Sequence, residues 1–346
     1  MKKVKNMLAR LLNGFSKKFG LHEPEGQGVQ PANNIVQDLP SLILKMAQTG
    51  EGTDECLELW CLPVPVHFYS PIPDIKDLEQ RKVWERRSSL AGIDFRPEEQ
   101  VKFLQTLGGG YGRECAWPEN ATDNPFQFYT HNGCFSFGCA AILHCMIRRY
   151  KPRRLIEIGS GNSSLVISAA LERNKQDSTQ NSCKYAIIDP YPGETVQRGL
   201  PALNQIVKER VELVSADVFG ALEENDILFI DSSHVVKTGS DVNYLILDIL
   251  PNIAPGVIVH FHDIDLPYEY PRVYATNPAF RMFWTEAYLL QAFLTSNDQW
   301  EILLGMGYLM KERMREFQSA FPHFDLEKNW ANSGSFWIRR KARTSK

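Results

Sequence analysis

Glu157, Asp189, Asp217 and Asp231 each close an apolar, strand-like run, and a carboxylate in that place can accept hydrogen bonds from the hydroxyls of a bound ligand. His234 follows Asp231 by three residues, and His262-Asp263 closes the run Gly256-Val-Ile-Val-His-Phe-His-Asp263. Carboxylates and imidazoles together can hold a divalent cation, or let an imidazole take a proton from a hydroxyl. For the first chemistry the candidate ligands are Asp231, His262 and Asp263. For the second the candidate bases are His234 and His262, oriented by the carboxylates. An imidazole in the ligand set favours zinc, iron or nickel over magnesium. His260, two residues deeper in the same run, reads as a core histidine with its polar atoms satisfied.

These groups meet only if parallel strands deliver them to one edge of a sheet. The segment Arg154-Leu-Ile-Glu-Ile-Gly-Ser-Gly-Asn-Ser-Ser164 reads as a strand, a tight glycine turn and a helix start, with an apolar helical pattern running on to Ala170. Such a turn lets the backbone approach a nucleotide-like ligand closely. Glu157, Gly159, Ser160, Gly161, Asn162 and Ser163 would line it. Asp189 is placed for ribose hydroxyls, Asp217 to flank a base ring, and Asp231 to border the same ligand. Strands are expected near 154–158, 185–189, 211–215, 226–231, 256–262, 300–304 and 335–340. Helices are expected near 162–173, 194–204, 240–250, 279–296 and 308–318. The near-continuous apolar runs at 226–231 and 256–262 suit strands covered on both faces. The fold class is α/β, a Rossmann-like doubly wound, mostly parallel sheet.

Residues 1–20 carry Lys2, Lys3, Lys5, Arg10, Lys17 and Lys18 with no acid, among apolar residues at helical spacing. That is a basic amphipathic helix suited to an anionic membrane surface or a partner. Residues 21–37 read as a linker, 38–130 as an accessory or lid region, and 131–346 as the main domain. Within the accessory region a helix is expected from Leu39, another from Pro97 to Leu107, and a break at Gly108-Gly-Gly110. The proline-rich segment Leu62–Pro73 should lie extended across another surface. His67–Tyr69 and Phe128–Asn132 pair aromatics with histidines and would form a lid. Tyr268, Tyr270 and Arg272 follow the run that ends at Asp263, and Arg272 could bind an anionic group. The net charge of −3 gives no nucleic-acid footprint. No run reaches the roughly 18 apolar residues of a membrane span. Seven cysteines without a CxxC pair suit reduced, buried thiols of a cytoplasmic protein, and the spacing of Cys134, Cys139 and Cys145 fits no compact zinc knuckle.

The order Glu157-x-Gly-x-Gly161, Ile187-Ile-Asp189, Ser215-Ala-Asp217 and Asp226-Ile-Leu-Phe-Ile-Asp231 resembles a class I S-adenosylmethionine-dependent methyltransferase over residues 131–340. The stretches Phe229–Asp241 and Gly256–Asp263, with Leu62–Pro73 and Trp84–Asp94, are similar to a bacterial subfamily often linked with glycan biosynthesis. Ser163 stands where many of these enzymes carry a third glycine, and its hydroxyl could meet the cofactor's carboxylate. The resemblance implies a seven-stranded sheet with a reversed last strand, S-adenosylmethionine as cofactor, and O-methylation of a sugar, glycan or related small acceptor. Metal-dependent sugar O-methyltransferases in this class hold magnesium on acids after the fourth and fifth strands. Other readings are an NAD(P)-dependent oxidoreductase, a metal-dependent oxygenase and a non-catalytic binding protein. The first needs a G-x-G-x-x-G fingerprint, but residues 159–164 read Gly-Ser-Gly-Asn-Ser-Ser.

Overall fold

The computed structural model describes residues 39–342, apart from 51–52, 59–60, 63, 280 and 330–332. The basic segment 1–20 and the linker 21–37 lie outside the described residues. The described residues form two compact units: 39–84 with Pro271–Phe283, and Glu85–Tyr270 with 284–342. In the first, helices span Leu39–Thr49, Thr53–Glu58, Ile75–Gln80 and Arg272–Thr276. Asp74 starts the third of these by accepting from Lys76 N–H at 2.9 Å. The Leu62–Pro73 segment turns at its middle rather than lying flat, and Phe68 and Tyr69 are 87% and 83% exposed. Arg272 is committed to Glu79 within this unit.

The second unit is built on a seven-stranded sheet. Its strands are β1 Arg154–Ile158, β2 Lys184–Ile188, β3 Leu203–Val207, β4 Ile227–Ile230, β5 Ile258–Phe261, β6 Trp300–Gly305 and β7 Phe336–Arg340. The order is β3-β2-β1-β4-β5-β7-β6, with β7 antiparallel to both neighbours and the other pairs parallel. Every residue of β4 and β5 is buried, as their apolar sequences, interrupted only by His260, require. Glu157 pairs with Ile187 on one side and Phe229 on the other, which fixes the carboxyl ends of β1, β2 and β4 level with one another.

The third strand is not at 211–215. Val211–Leu213 is a 3-10 turn, and the strand is Leu203-Asn-Gln-Ile-Val207 at the sheet edge. An edge strand with exposed Asn204 and Gln205 carries no apolar run to announce it. The helix expected at 194–204 stops at Gln197, where Gly199 takes φ +88° and Pro201 follows. Conversely, the helix Pro97–Tyr111 runs through its three glycines without a break. The 279–296 stretch holds a helix only over Glu286–Leu294.

Candidate active site

The sheet order reverses between β1 and β4, so the turns after these strands face one crevice. Gly159 takes φ +78° there, and a Cβ on it would sit 2.1 Å from the Asp231 carbonyl oxygen. Only glycine lets the two turns touch. Gly161 precedes the helix Asn162–Asp177, and a Cβ on it would meet no heavy atom within 4 Å. The helix start thus faces open space, where backbone N–H groups favour an anionic group.

Glu157 sits beneath this turn rather than in the crevice. Fully buried, it accepts from Ser163 Oγ at 2.7 Å, from Ser164 Oγ at 2.9 Å and from the Tyr185 hydroxyl. Ser164 Oγ in turn accepts from Gly161 N–H at 3.1 Å. Burial pushes the Glu157 carboxyl up to about 7 against the pull of those hydroxyls. The Ser163 hydroxyl is therefore spent on Glu157 and not offered to a ligand. Serine in the third glycine's place clamps the helix start onto β1.

Asp189 lies just beyond β2. Its Oδ2 accepts from Ser160 Oγ at 2.5 Å and its Oδ1 from Tyr191 N–H at 2.8 Å. This ties the first turn to the second. Asp217 does not end a strand. It opens the short helix Asp217–Gly220, is exposed, and takes a hydrogen bond from Ser215 Oγ at 3.2 Å. Asn162 donates to Asn132 Oδ1 at 3.3 Å. Asn132 also donates to the carbonyls of Tyr129 and Phe135, at 2.7 and 2.9 Å, so the 129–135 loop is pinned over the helix start. Phe128, from the same segment, is a core residue against Trp117.

Asp231, His234, His262 and Asp263 do converge. His234 Nε2 is 3.3 Å from Asp231 Oδ1 and 3.7 Å from Asp263 Oδ2. His262 Nδ1 is 3.7 Å from Asp231 Oδ2 and 3.4 Å from Asp263 Oδ2. The two imidazoles are 6% exposed, and the carboxylates in front of them 31% and 24%. A partner invisible in the sequence pattern completes the set. Glu286, fully buried at the start of its helix, takes a 2.8 Å hydrogen bond from His234 Nδ1. An acid in the first turn of the otherwise apolar run Glu286-Ala-Tyr-Leu-Leu reads as a helix-dipole residue, which hid it. Burial alone would draw the His234 imidazole down, but Asp231 and Glu286 more than reverse this and hold it at about 10. His262 is likewise raised, by Asp263 and Asp231 against burial. Both carboxylates are held low despite their partial desolvation, chiefly by His262.

The residues behind this edge hold it in place. Phe135 stacks on His262 with ring centroids 5.1 Å apart, and Trp284 lies 4.4 Å from His234. Cys139 is buried, its Sγ 3.1 Å from Ser333 Oγ, and the His262 charge draws its thiol down against burial. Cys61 and Cys134, by contrast, are exposed. A Cβ on Gly334 would meet Asp263 Cα at 2.6 Å, and Ile264 N–H donates to Gly334 O at 2.8 Å. His260 is buried between Phe229 and Trp337 with Nε2 on Ser335 Oγ, but its Nδ1 has no partner, so it is only half satisfied.

The donor set fits a divalent cation. Asp231, His262 and Asp263 each offer an atom within 4.8 Å of the others, and both buried nitrogens of His262 lack a hydrogen-bond partner. An orphaned imidazole beside two accessible carboxylates matches the mixed nitrogen and oxygen donors that zinc, iron and nickel accept.

Residues 156–264, which carry every group of the two turns, match a family described as a methyltransferase domain. The chain belongs to the class I methyltransferases. This methyltransferase is also 35% identical, over 202 residues, to an uncharacterized protein of Archaeoglobus fulgidus, a match covering 56% of this chain and 87% of that one. Two solved structures are similar at low identity. One is the O-methyltransferase TomG of Streptomyces achromogenes, involved in tomaymycin synthesis and bound to SAM, at 15% identity and TM-score 0.35 over 70% of this chain and 90% of that one. The other is the Podospora anserina methyltransferase PaMTH1 bound to SAH, at 13% identity and TM-score 0.34 over 92% and 100%. At TM-scores under 0.5 these two likenesses decide nothing. Among the described residues of this methyltransferase, no helix is long and apolar enough to cross a membrane.

Proposed function

We propose that the chain is an S-adenosylmethionine-dependent O-methyltransferase that methylates a hydroxyl of a sugar, glycan or related small acceptor with the help of a divalent metal. The observation that carries this reading is the meeting of Asp231, His262 and Asp263 at the carboxyl edge of the sheet, with Asp231 pressed against the Gly159 turn. The Gly159–Gly161 turn and the helix start would receive the cofactor's charged end, and Asp189, braced by Ser160, its ribose hydroxyls. The methyl group comes from the cofactor, so the protein's work is to align the acceptor oxygen in line with it and remove its proton.

A cation on Asp231, His262 Nδ1 and Asp263 would lower the pKa of an acceptor hydroxyl. His234 is a poor candidate for the proton acceptor. It is held protonated between Asp231 and Glu286, and serves better as the buried charge that orients Asp231. His262 without a metal would be protonated as well, which favours the metal reading over a free imidazole base.

Calorimetry against S-adenosylmethionine and S-adenosylhomocysteine tests the cofactor, and the absence of binding by both would end this reading. Metal analysis of the purified protein tests the second half. Bound metal should be present in the wild type and lost in Asp231→Ala and Asp263→Ala, and equal metal content in all three refutes the ligand set. Incubating a glycan pool with deuterated-methyl cofactor should add a heavy methyl group detectable by mass spectrometry.

A further inference from the structure

A cavity of about 220 Å³ opens beside the catalytic edge, lined among others by Ser88, Asp265, Tyr268, Tyr270, Tyr288 and Gln291. It is close to the carboxylate–histidine cluster through two connections. Asp265 stands two residues beyond Asp263 on the loop after β5. Tyr270 packs 5.9 Å from Trp284, whose ring is 4.4 Å from His234. The Tyr270 hydroxyl also accepts from the N–H of Ala287, the residue after Glu286, at 2.8 Å.

The walls are fixed. Ser88 N–H donates to Pro267 O at 2.7 Å, and Arg87 bridges Tyr268 in antiparallel fashion. The Tyr268 hydroxyl donates to Glu312 at 2.6 Å and the Tyr288 hydroxyl to Glu269 at 2.6 Å. Arg87 Nε donates to Glu312 at 2.7 Å, and Gln291 Nε2 to Ser88 Oγ at 3.3 Å. Asp265 differs from these neighbours. Among the described residues its carboxylate accepts no hydrogen bond, although Asp265 lines the cavity and is only partly exposed.

A partly buried acceptor without a protein donor can take one from the ligand. Three tyrosine rings around it ask for a flat C–H surface. Arg86 and Arg87 also line the cavity, but Arg87 is paired with Glu312 and a phosphate would still face the carboxylates of Asp265 and Glu269, while an apolar group would bury Asp265 with no donor at all. The volume is below the roughly 300 Å³ at which sites for drug-sized ligands begin, so a single ring fills it. We propose that this cavity is the acceptor-recognition pocket and holds one neutral, polyhydroxylated, pyranose-sized ring, whose hydroxyls donate to Asp265 and whose C–H face lies on the tyrosines. The inference rests on the methyltransferase reading, because only that reading gives a ring held beside Asp263 a reaction to undergo.

Saturation-transfer NMR on the full chain tests it. The probes are the methyl glycosides of glucose, galactose, mannose and rhamnose, with methyl phosphate and ethanolamine as an anion and a cation of similar polarity. At least one glycoside should bind the wild type. Asp265→Ala and Tyr268→Ala should each weaken that binding by about tenfold, the cost of a lost hydrogen bond to a charged group or of a lost ring contact. Asp265→Asn, which keeps the side chain's shape, should unfold at the wild-type temperature and still weaken the glycoside. No glycoside binding, equal binding in all variants, or methyl phosphate or ethanolamine as the probe that Asp265→Ala releases would each overturn the proposal. Calorimetry with S-adenosylhomocysteine on the same samples separates the two readings. If the homocysteine compound binds and no glycoside does, the pocket assignment fails while the methyltransferase reading stands. If a glycoside binds and the homocysteine compound does not, the cofactor assignment fails instead.

Discussion

His234 is gripped at both ring nitrogens, by Glu286 on one side and Asp231 on the other, and adopts φ +60°, a left-handed backbone conformation uncommon for its type. A side chain held this firmly positions others. Glu286→Gln keeps the shape and removes the charge that holds His234 against Asp231, and it should lower turnover by about tenfold through that outer-shell contact. Affinity for S-adenosylhomocysteine should stay within experimental error, and a parallel loss of both would show that the substitution had merely unfolded the site. Glu157 offers a second test. Its carboxyl binds protons more tightly folded, at about 7, than at the ordinary 4.5. Its contribution to stability is thus fully present below about pH 4.5 and falls away as pH rises through 7. Urea titrations at pH 5 and pH 8 should show the wild type losing more stability than Glu157→Gln, by up to ~3 kcal/mol. Asp231, His262 and Asp263 could be found in the sequence because each ends an apolar run. Glu286 could not, because it meets His234 only through the fold, 52 residues along the chain.

At the scale of elements, the two glycines of the first turn have different tasks. Gly159→Ala would force the β1 and β4 turns apart and should cost about 2–3 kcal/mol of stability, seen as a lower denaturation midpoint. Gly161→Ala has room for its methyl group and should leave that midpoint unchanged. The same methyl occupies the space in front of the helix start, so cofactor affinity should fall in the calorimeter. Equal effects of the two substitutions on stability would contradict this division. Strands β1, β2, β4 and β5 were legible because buried parallel strands are apolar at most positions, with only single polar residues such as Glu157 and His260 among them. β3 was not, because an edge strand can afford Asn204 and Gln205, while Val211-Glu-Leu-Val214 imitates a strand and only closes a turn.

At the scale of the whole molecule, the sheet brings together residues more than a hundred positions apart, from Glu157 to Glu286. Anything that binds across its carboxyl edge should stabilise the whole unit. At about a hundred times its dissociation constant, S-adenosylhomocysteine should add ~2.7 kcal/mol and raise the melting temperature accordingly. An unchanged melting temperature at saturation would contradict a site formed by the native fold. The α/β class was readable from the alternation of patterns, but the boundary between the two units was not. It falls at Trp84 and again at 270–271 and 283–284, where the composition does not change abruptly. One consequence concerns the order of events on the ribosome. Ser333, Gly334 and Ser335 touch Cys139, Asp263 and His260, and β7 inserts between β5 and β6, which precede it in the chain. A nascent chain therefore carries the glycine turn, both histidines and both aspartates long before it has the segment that seats Asp263. Chains stalled before residue 333 should sediment as partly folded and inactive species, and the site should mature only when the last strand has emerged and slipped into the gap waiting for it.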